Sequence, residues 1–285
     1  MLKAKNMDAC TVEMGFDDQG LPIGHVLAEV ALALRGAGRV VLQAPPGAGK
    51  TTLVPLYLLA KDLVQGRILM LEPRRMAARA AAERMADLSG SPVGSLVGYR
   101  VRGESRVSAA TRIEVVTEGI LTRMIQSDPE LKGIGCVIFD EFHERSLHAD
   151  LGLALCLEIR AALRPDLQLI VMSATLDAGA VAELMGNAAV ITSLGRNFSV
   201  ETRWLDRPWV RPRFEEALAS LLRRALAETE GGILAFLPGE GEIRRVEARL
   251  RDCGAWIGWI PGLRSRFWGR SRRLGWYTRR MQTTI

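Results

Sequence analysis

Residues 43–52 read Gln-Ala-Pro-Pro-Gly-Ala-Gly-Lys-Thr-Thr, a glycine-rich run between an apolar stretch, Val40 to Leu42, and a segment of helical pattern. Far downstream a second apolar stretch, Cys136 to Phe139, ends in Asp140-Glu141-Phe142-His143-Glu144-Arg145. The first run suits a polyanion. Gly47 and Gly49 let backbone N–H groups turn toward phosphate oxygens without a Cβ in the way, and a helix starting near Lys50 adds its positive end. The second run sets two acids at the end of a buried strand, where one can hold Mg²⁺ and the other can activate water. Loops of these two kinds meet when parallel strands bring them to one sheet edge.

The intervening pattern supplies such strands. Short apolar runs (Val40 to Leu42, Ile68 to Leu71, Ile113 to Val116, Cys136 to Phe139, Leu169 to Met172) alternate with helical stretches at Met76 to Leu88, Gly119 to Ile125 and Leu151 to Leu163. Continuous apolar strands separated by helices predict an α/β fold, a parallel sheet covered on both faces. Upstream, Pro22 opens an expected helix to about Arg35, which Gly36 and Gly38 end.

The expected organisation is a lead-in over 1–20, a first domain over 21–195, a linker over 196–212 and a partial second domain over 213–253. The second unit shows a strand and linker through Trp204 to Pro208, a helix from Phe214 to Glu228, a strand from Ile233 to Leu237 and a helix from Glu242 to Arg251. Residues 254–285 differ from the rest: they hold seven arginines, four of the six tryptophans and no acid, with no usable helix or strand period. Subtracting that +7 from the whole-chain +6 leaves about −1 for residues 1–253. The basic pI of about 9.5 therefore describes this tail and is no sign of a basic groove on the folded part. Such a tail reads as disordered or as the product of a slipped reading frame, and otherwise as a nucleic-acid-binding arm.

Four scattered cysteines (Cys10, Cys136, Cys156, Cys253) form no CxxC pair, which argues for reduced thiols and against a disulfide frame or zinc cluster. No apolar stretch of signal-peptide or membrane-spanning length is present. The expected setting is cytoplasmic, without a membrane.

Residue by residue, the phosphate loop comprises Ala44, Pro45, Pro46, Gly47, Ala48, Gly49, Lys50, Thr51 and Thr52. Lys50 would reach the β- and γ-phosphates and the Thr51 hydroxyl would ligate Mg²⁺. Ala44 stands where the GxxxxGK(S/T) pattern has its first glycine, so the form is relaxed. Asp140 would hold Mg²⁺ through water, and Glu141 would polarise the attacking water. His143 and His148 are not a zinc pair: five apart on a helix, they would point about 140° from each other. Leu88-Ser89-Gly90-Ser91-Pro92 lacks the second glycine and the glutamine of a transporter-ATPase signature and reads as a loop. Pro73, Arg74 and Arg75, after one strand, are placed to grip a nucleic-acid backbone. Thr117, Glu118 and Gly119 follow the next strand likewise. Ser173, Ala174 and Thr175 would bridge the acids' loop and the neighbouring domain.

In this order the motifs resemble a superfamily 2 helicase of the DEAH group, with Asp140-Glu141-Phe142-His143 carrying Phe for Ala. That substitution, with Gln43 to Thr52 and Leu71-Glu72-Pro73-Arg74-Arg75-Met76-Ala77-Ala78-Arg79, is most similar to the bacterial HrpB-type helicases. The similarity runs from about Leu21 to Arg251. It includes Gly195-Arg196-Asn197-Phe198-Ser199-Val200, where Ser199 replaces the usual Pro, and the run from Ile233 to Ile243. The resemblance implies two RecA-like lobes that close on ATP, and an ATP-dependent helicase acting on single-stranded RNA or DNA. By that likeness Lys50 and Thr51 bind phosphate and Mg²⁺, and Asp140 and Glu141 hold metal and activate water. His143 and Ser173 to Thr175 couple hydrolysis to lobe movement, while Arg74, Arg75 and Thr117 face the strand. The family's later Thr-Asn-Ile-Ala-Glu-Thr and Gly-Arg-Ala-Gly-Arg motifs are absent from the 285 residues, so weak ATP·Mg²⁺ binding and slow turnover are expected. Two other readings remain: a non-catalytic nucleic-acid-binding fragment acting through its basic tail, and a metabolite kinase, for which no acceptor site is found.

Overall fold

The structure is a computed structural model. It describes residues 17–174, 178–195, 200–204, 214–229 and 232–250, with the strand backbones at 256–259 and 273–278. Contacts divide the chain into two compact units, Met1–Phe198 and Ser199–Ile285.

The first unit is built on an eight-stranded sheet. Its strands are β1 (Arg39–Gln43), β2 (Arg67–Glu72), β3 (Val97–Val101), β4 (Glu104–Arg106), β5 (Ile113–Thr117), β6 (Ile134–Phe139), β7 (Gln168–Ser173) and β8 (Ala189–Thr192). They lie in the order β4-β3-β5-β2-β6-β7-β1-β8, all parallel except the β3–β4 hairpin. The period of two along a strand sorts its apolar side chains into two cores. Val40, Leu42, Ile68, Met70, Cys136, Ile138, Ile170 and Met172 face one core, which is closed by α1 (Leu27–Ala37), α2 (Lys50–Ala60) and α3 (Arg75–Leu88). Val41, Leu69, Leu71, Val137, Phe139, Leu169 and Val171 face the other, closed by α4 (Glu118–Ser127), α5 (Leu147–Ala162) and α6 (Ala178–Leu184). Burial on both faces is why these strands read as unbroken apolar runs.

Several expected boundaries shift for local reasons. The Pro22 segment begins as a 3-10 turn, Pro22–Val26, before α1 takes over. That helix runs through Gly36 and ends at Gly38, whose left-handed φ of 66° lets its N–H return to the Leu34 carbonyl. Helix α5 starts four residues before the expected Leu151, because Ser146 caps it by accepting the Ala149 N–H at 3.0 Å. His148 therefore lies on α5 while His143 lies on a separate 3-10 turn, Phe142–Glu144. Strands β3, β4 and β8 have no counterpart among the expected elements. Gly98 breaks the apolar pattern of β3 where a Cβ would run into the Arg106 carbonyl, and β8 is a short, mostly exposed edge strand.

The second unit pairs α7 (Phe214–Glu228) and α8 (Glu240–Arg249) with β9 (Ile233–Leu237) around Leu222, Ala235, Ile243 and Val246. Helix α8 begins at Glu240, ahead of the expected Glu242, with both acids in its first turn where the helix dipole favours them. No strand forms over 200–204, and 205–213 lie outside the described residues. Within residues 254–285, where no strand period is legible, Trp256–Trp259 (β10) and Arg273–Thr278 (β11) are strands, and β11 runs parallel to both β10 and β9. Both segments are rich in aromatic and branched residues suited to strands, but Gly258 and Gly275 blur their alternation.

Candidate functional site

All the chemistry-bearing motifs lie at the carboxyl ends of neighbouring strands, in the order β5-β2-β6-β7-β1. At the β1 end the chain turns through Gly47 (φ 79°) and Gly49 (φ 95°), left-handed positions that side chains resist, and enters α2 at Lys50. The Ala44 N–H donates to the Ser173 carbonyl at 2.9 Å, and the Ala48 N–H folds back to the Pro45 carbonyl at 3.2 Å. Pro46 and Gly47 form an exposed crown above buried Ala44, Ala48 and Lys50. Thr52 turns inward, its hydroxyl 3.5 Å from the Gly49 carbonyl.

This loop and the β6 acids meet. Thr51 Oγ1 donates to Asp140 Oδ2 at 2.5 Å, and Lys50 Nζ donates to Glu141 Oε1 at 2.8 Å. Glu141 adopts a left-handed φ of 49°, rare for a residue with a Cβ. Its own N–H donates to Asp140 Oδ1 at 2.8 Å. Lys50 and Asp140 are 3% and 5% exposed, so both charges act in a poorly hydrated environment.

Glu72, at the end of β2, is the residue that sequence reasoning missed as a member of this site. It is 3% exposed. Burial, then the neighbouring Asp140 charge, push its carboxyl up to about 9, so that it holds a proton and hydrogen-bonds Asp140. Burial also raises Asp140, with Lys50 and Thr51 pulling the other way. The available signal was an acid closing an apolar strand, but its burial comes from neighbours distant in sequence.

His143 Nδ1 lies 3.4 Å from the Ala174 N–H and 3.3 Å from Glu141 Oε2. One nitrogen cannot accept the first proton and donate to the second acceptor at once, so in a given tautomer only one of these contacts is a hydrogen bond. Ser173 is fully buried under Ala44, and Thr175 lies outside the described residues.

The β2 and β5 ends are more open. Arg74, its side chain 65% exposed, pairs with Glu144 at 2.5 Å, and Arg75 and Gly119 face solvent. Pro73, Thr117 and Glu118 are half-buried. Ser146 Oγ donates to Glu118 at 2.5 Å, tying the β5 loop to the start of α5. Among the described residues no three His, Cys, Asp or Glu side chains are grouped to hold a metal ion. No helix there is long and apolar enough to cross a membrane.

The family profile for the DEAD/DEAH box helicase matches residues 27–184. The chain is 52% identical over 230 residues to the ATP-dependent RNA helicase HrpB of Escherichia coli, across 81% of this chain and 28% of that protein. It is 37% identical over 239 residues to the ATP-dependent RNA helicase HrpA homolog of Haemophilus influenzae, across 82% and 18%. A crystal structure of Escherichia coli DEAH/RHA helicase HrpB matches with a TM-score of 0.82 at 45% identity, covering 91% of this chain and 34% of that one. The chain thus spans less than a third of the length of these curated relatives. The eight-stranded unit is the α/β sheet that the strand pattern predicted, in the RecA-like arrangement that the resemblance implied. By the profile that matches it and the relatives that share its sequence, this chain belongs to the DEAD/DEAH box helicase family.

Proposed function

We propose that this chain is the ATP-binding portion of a cytoplasmic RNA helicase, with Mg²⁺·ATP held where the phosphate loop meets Asp140 and Glu141. On this reading residues 21–195 are the first lobe and 213–253 open the second. The observation that supports it most is the pair of contacts Thr51–Asp140 and Lys50–Glu141, at 2.5 and 2.8 Å. The donor set fits a hydrated divalent ion: a hydroxyl and a buried carboxylate lie together, with phosphate and water left to complete the coordination. When bound, Mg²⁺ neutralises phosphate charge and polarises the γ-phosphoryl group.

The chain's own groups do the rest. Backbone N–H groups around Gly47 to Thr51 cradle the phosphates. Lys50 exchanges Glu141 for phosphate oxygens, which frees the Glu141 carboxylate to accept a proton from a water in line with the γ-phosphorus. Thr51 and Asp140 would hold the ion, the carboxylate through water. His143, set between Glu141 and Ala174, reports the state of that carboxylate to β7. Arg74, Arg75 and Thr117 meet the backbone of an RNA strand.

The later arginine motif of the family does not occur in these 285 residues. Arginines of that kind are worth about 10³–10⁵ in rate, so the chain alone should bind ATP weakly and turn it over slowly. Hydrolysis by the purified chain, with and without single-stranded RNA or DNA, tests this. A kcat equal to that of a full-length relative would refute the impairment, and absence of nucleotide binding would sink the reading.

The seven arginines of residues 254–285 favour a second reading, in which the tail binds nucleic acid without catalysis. Deleting 254–285 separates the two. Binding that leaves with the tail, and that weakens steeply with salt through counterion release, supports the second.

A further inference from the structure

The phosphate loop is held from behind by two segments, Leu21–Ile23 and Ser193–Gly195. On one side the Ile23 N–H donates to the Ala48 carbonyl at 3.1 Å. A Cβ on Gly49 would meet Leu21 Cδ1 at 2.9 Å and Ile23 Cγ2 at 3.3 Å. On the other side the chain leaving β8 runs along the loop's first half. The Ser193 N–H donates to the Gln43 carbonyl at 2.8 Å. Gly195 lies so close to Pro45 that a Cβ there would overlap Pro45 Cγ and stand 3.1 Å from Cδ. The two supports are joined to each other, because Ser193 Oγ donates to the Pro22 carbonyl at 3.1 Å.

Ser193 is a buried polar residue, 3% exposed, and both its N–H and its hydroxyl are spent on this junction. A hydroxyl is costly to bury unless it is hydrogen-bonded, and here the bond to Pro22 offsets that cost. The Gly195 φ is not left-handed, so glycine is required there by proximity to Pro45 and not by backbone conformation. The loop's crown, by contrast, is open at Pro46 and Gly47. A loop whose tip must stay free for a ligand gains its shape from what lies beneath it.

We propose that Ser193 and Gly195 are positioning residues for the phosphate loop: together with Leu21–Ile23 they fix the path of Gln43 to Gly49 and so the direction of the N–H groups that meet phosphate. The proposal rests on the phosphate-loop reading above. It also means that the segment by which the chain leaves the first unit is seated on the nucleotide loop itself.

The test uses the full chain with G195A, S193A, P45A and the P45A/G195A pair. Amide hydrogen exchange at residues 47–52 is measured without nucleotide, and affinity for a fluorescent Mg²⁺·ADP analogue is measured beside it. G195A should raise both loop exchange and Kd about tenfold or more, since small misplacements of binding groups have effects on this scale. S193A should raise exchange less, and most at Ala48 to Lys50. Removing the Pro45 ring should relieve the clash, so P45A/G195A should sit closer to P45A than the two single effects combined predict. Unchanged exchange in G195A, or a G195A defect that P45A does not relieve, would overturn the proposal. If G195A does not fold, S193A decides: parental exchange at Ala48 to Lys50 overturns it. If no variant or parent binds nucleotide, the functional reading fails, while the exchange data still judge the positioning claim.

Discussion

The carboxyl edge of the sheet has two halves with opposite electrostatic designs. At the β6-β7-β1 half, Lys50, Asp140 and Ser173 are all at most 5% exposed, Glu72 reaches in from the end of β2 and is as buried, and the lysine and carboxyls are closed on one another. At the β5-β2 half, Arg74 is mostly in water and its partner Glu144 is on the same surface. A buried pair is expensive to break by removing one member, about 3–5 kcal/mol, while an exposed pair is worth about 0–1 kcal/mol. The first half is therefore preorganised around a fixed arrangement of charge. The second can give up its internal partner to an incoming phosphate at little cost.

Lys50→Ala should break this contrast most severely, because it removes the buried cation facing Glu141 and Asp140. Nucleotide binding and hydrolysis should both collapse, kcat/KM falling by about 10³ or more, as measured by equilibrium binding and steady-state phosphate release. Retained affinity would show that the lysine does not face phosphate. Glu141→Gln should be milder and more selective. It keeps the shape of the side chain but removes the proton acceptor, so kcat should fall about 10²-fold or more while nucleotide affinity holds. Parallel losses in both would make Glu141 a binding group.

The same contrast governs what could be read from the sequence. Strands β1, β2, β5, β6 and β7 were legible because each is covered on both faces, which leaves a continuous apolar run. Edge strand β8 is covered on little of its length, and the β3–β4 hairpin depends on Gly98 clearing the Arg106 carbonyl, which no local pattern records. Within the site, Lys50, Thr51, Asp140 and Glu141 were legible because phosphate and metal chemistry demand those residue types at strand and helix ends. Glu72 stands in the sequence only as one member of the Leu71 to Arg79 run. Its burial against Asp140 follows from β2 lying beside β6, a pairing that the chain order β1, β2, β6 does not dictate. Ser193 and Gly195 escaped for the same reason, since their partners Pro22, Gln43 and Pro45 are distant in the chain.

At the open half, Arg74→Ala should weaken RNA binding several-fold and to a similar degree for unrelated sequences. One lost phosphate contact should lower the salt slope of log K by about 1. Basal ATP turnover without RNA should stay at the parental level, because the Arg74–Glu144 pair is not part of the buried cluster. A large drop in basal turnover would mean that the two halves are coupled through Glu144 and the His143 turn.

A last probe addresses the buried half by pH. The Glu72 carboxyl is raised from 4.5 to about 9 in the fold, by burial first and Asp140 second. Between those values the unfolded chain has lost this proton and the folded chain keeps it. The folded state thus binds more protons, and stability from this group is intact below about 4.5 and is lost as pH rises toward about 9. Glu72→Gln cannot ionise, yet its amide can still donate to Asp140. Its melting temperature, taken without nucleotide and with a chelator, should fall less than the parent's from about pH 6 to about pH 9, with about 2–4 °C expected for each kcal/mol in a domain of this size. Arg74→Ala should follow the parental pH curve, since it touches no buried carboxyl. If Glu72→Gln followed it too, Glu72 would be ionised in the fold, and the buried half would have to hold three negative carboxylates against Lys50 alone.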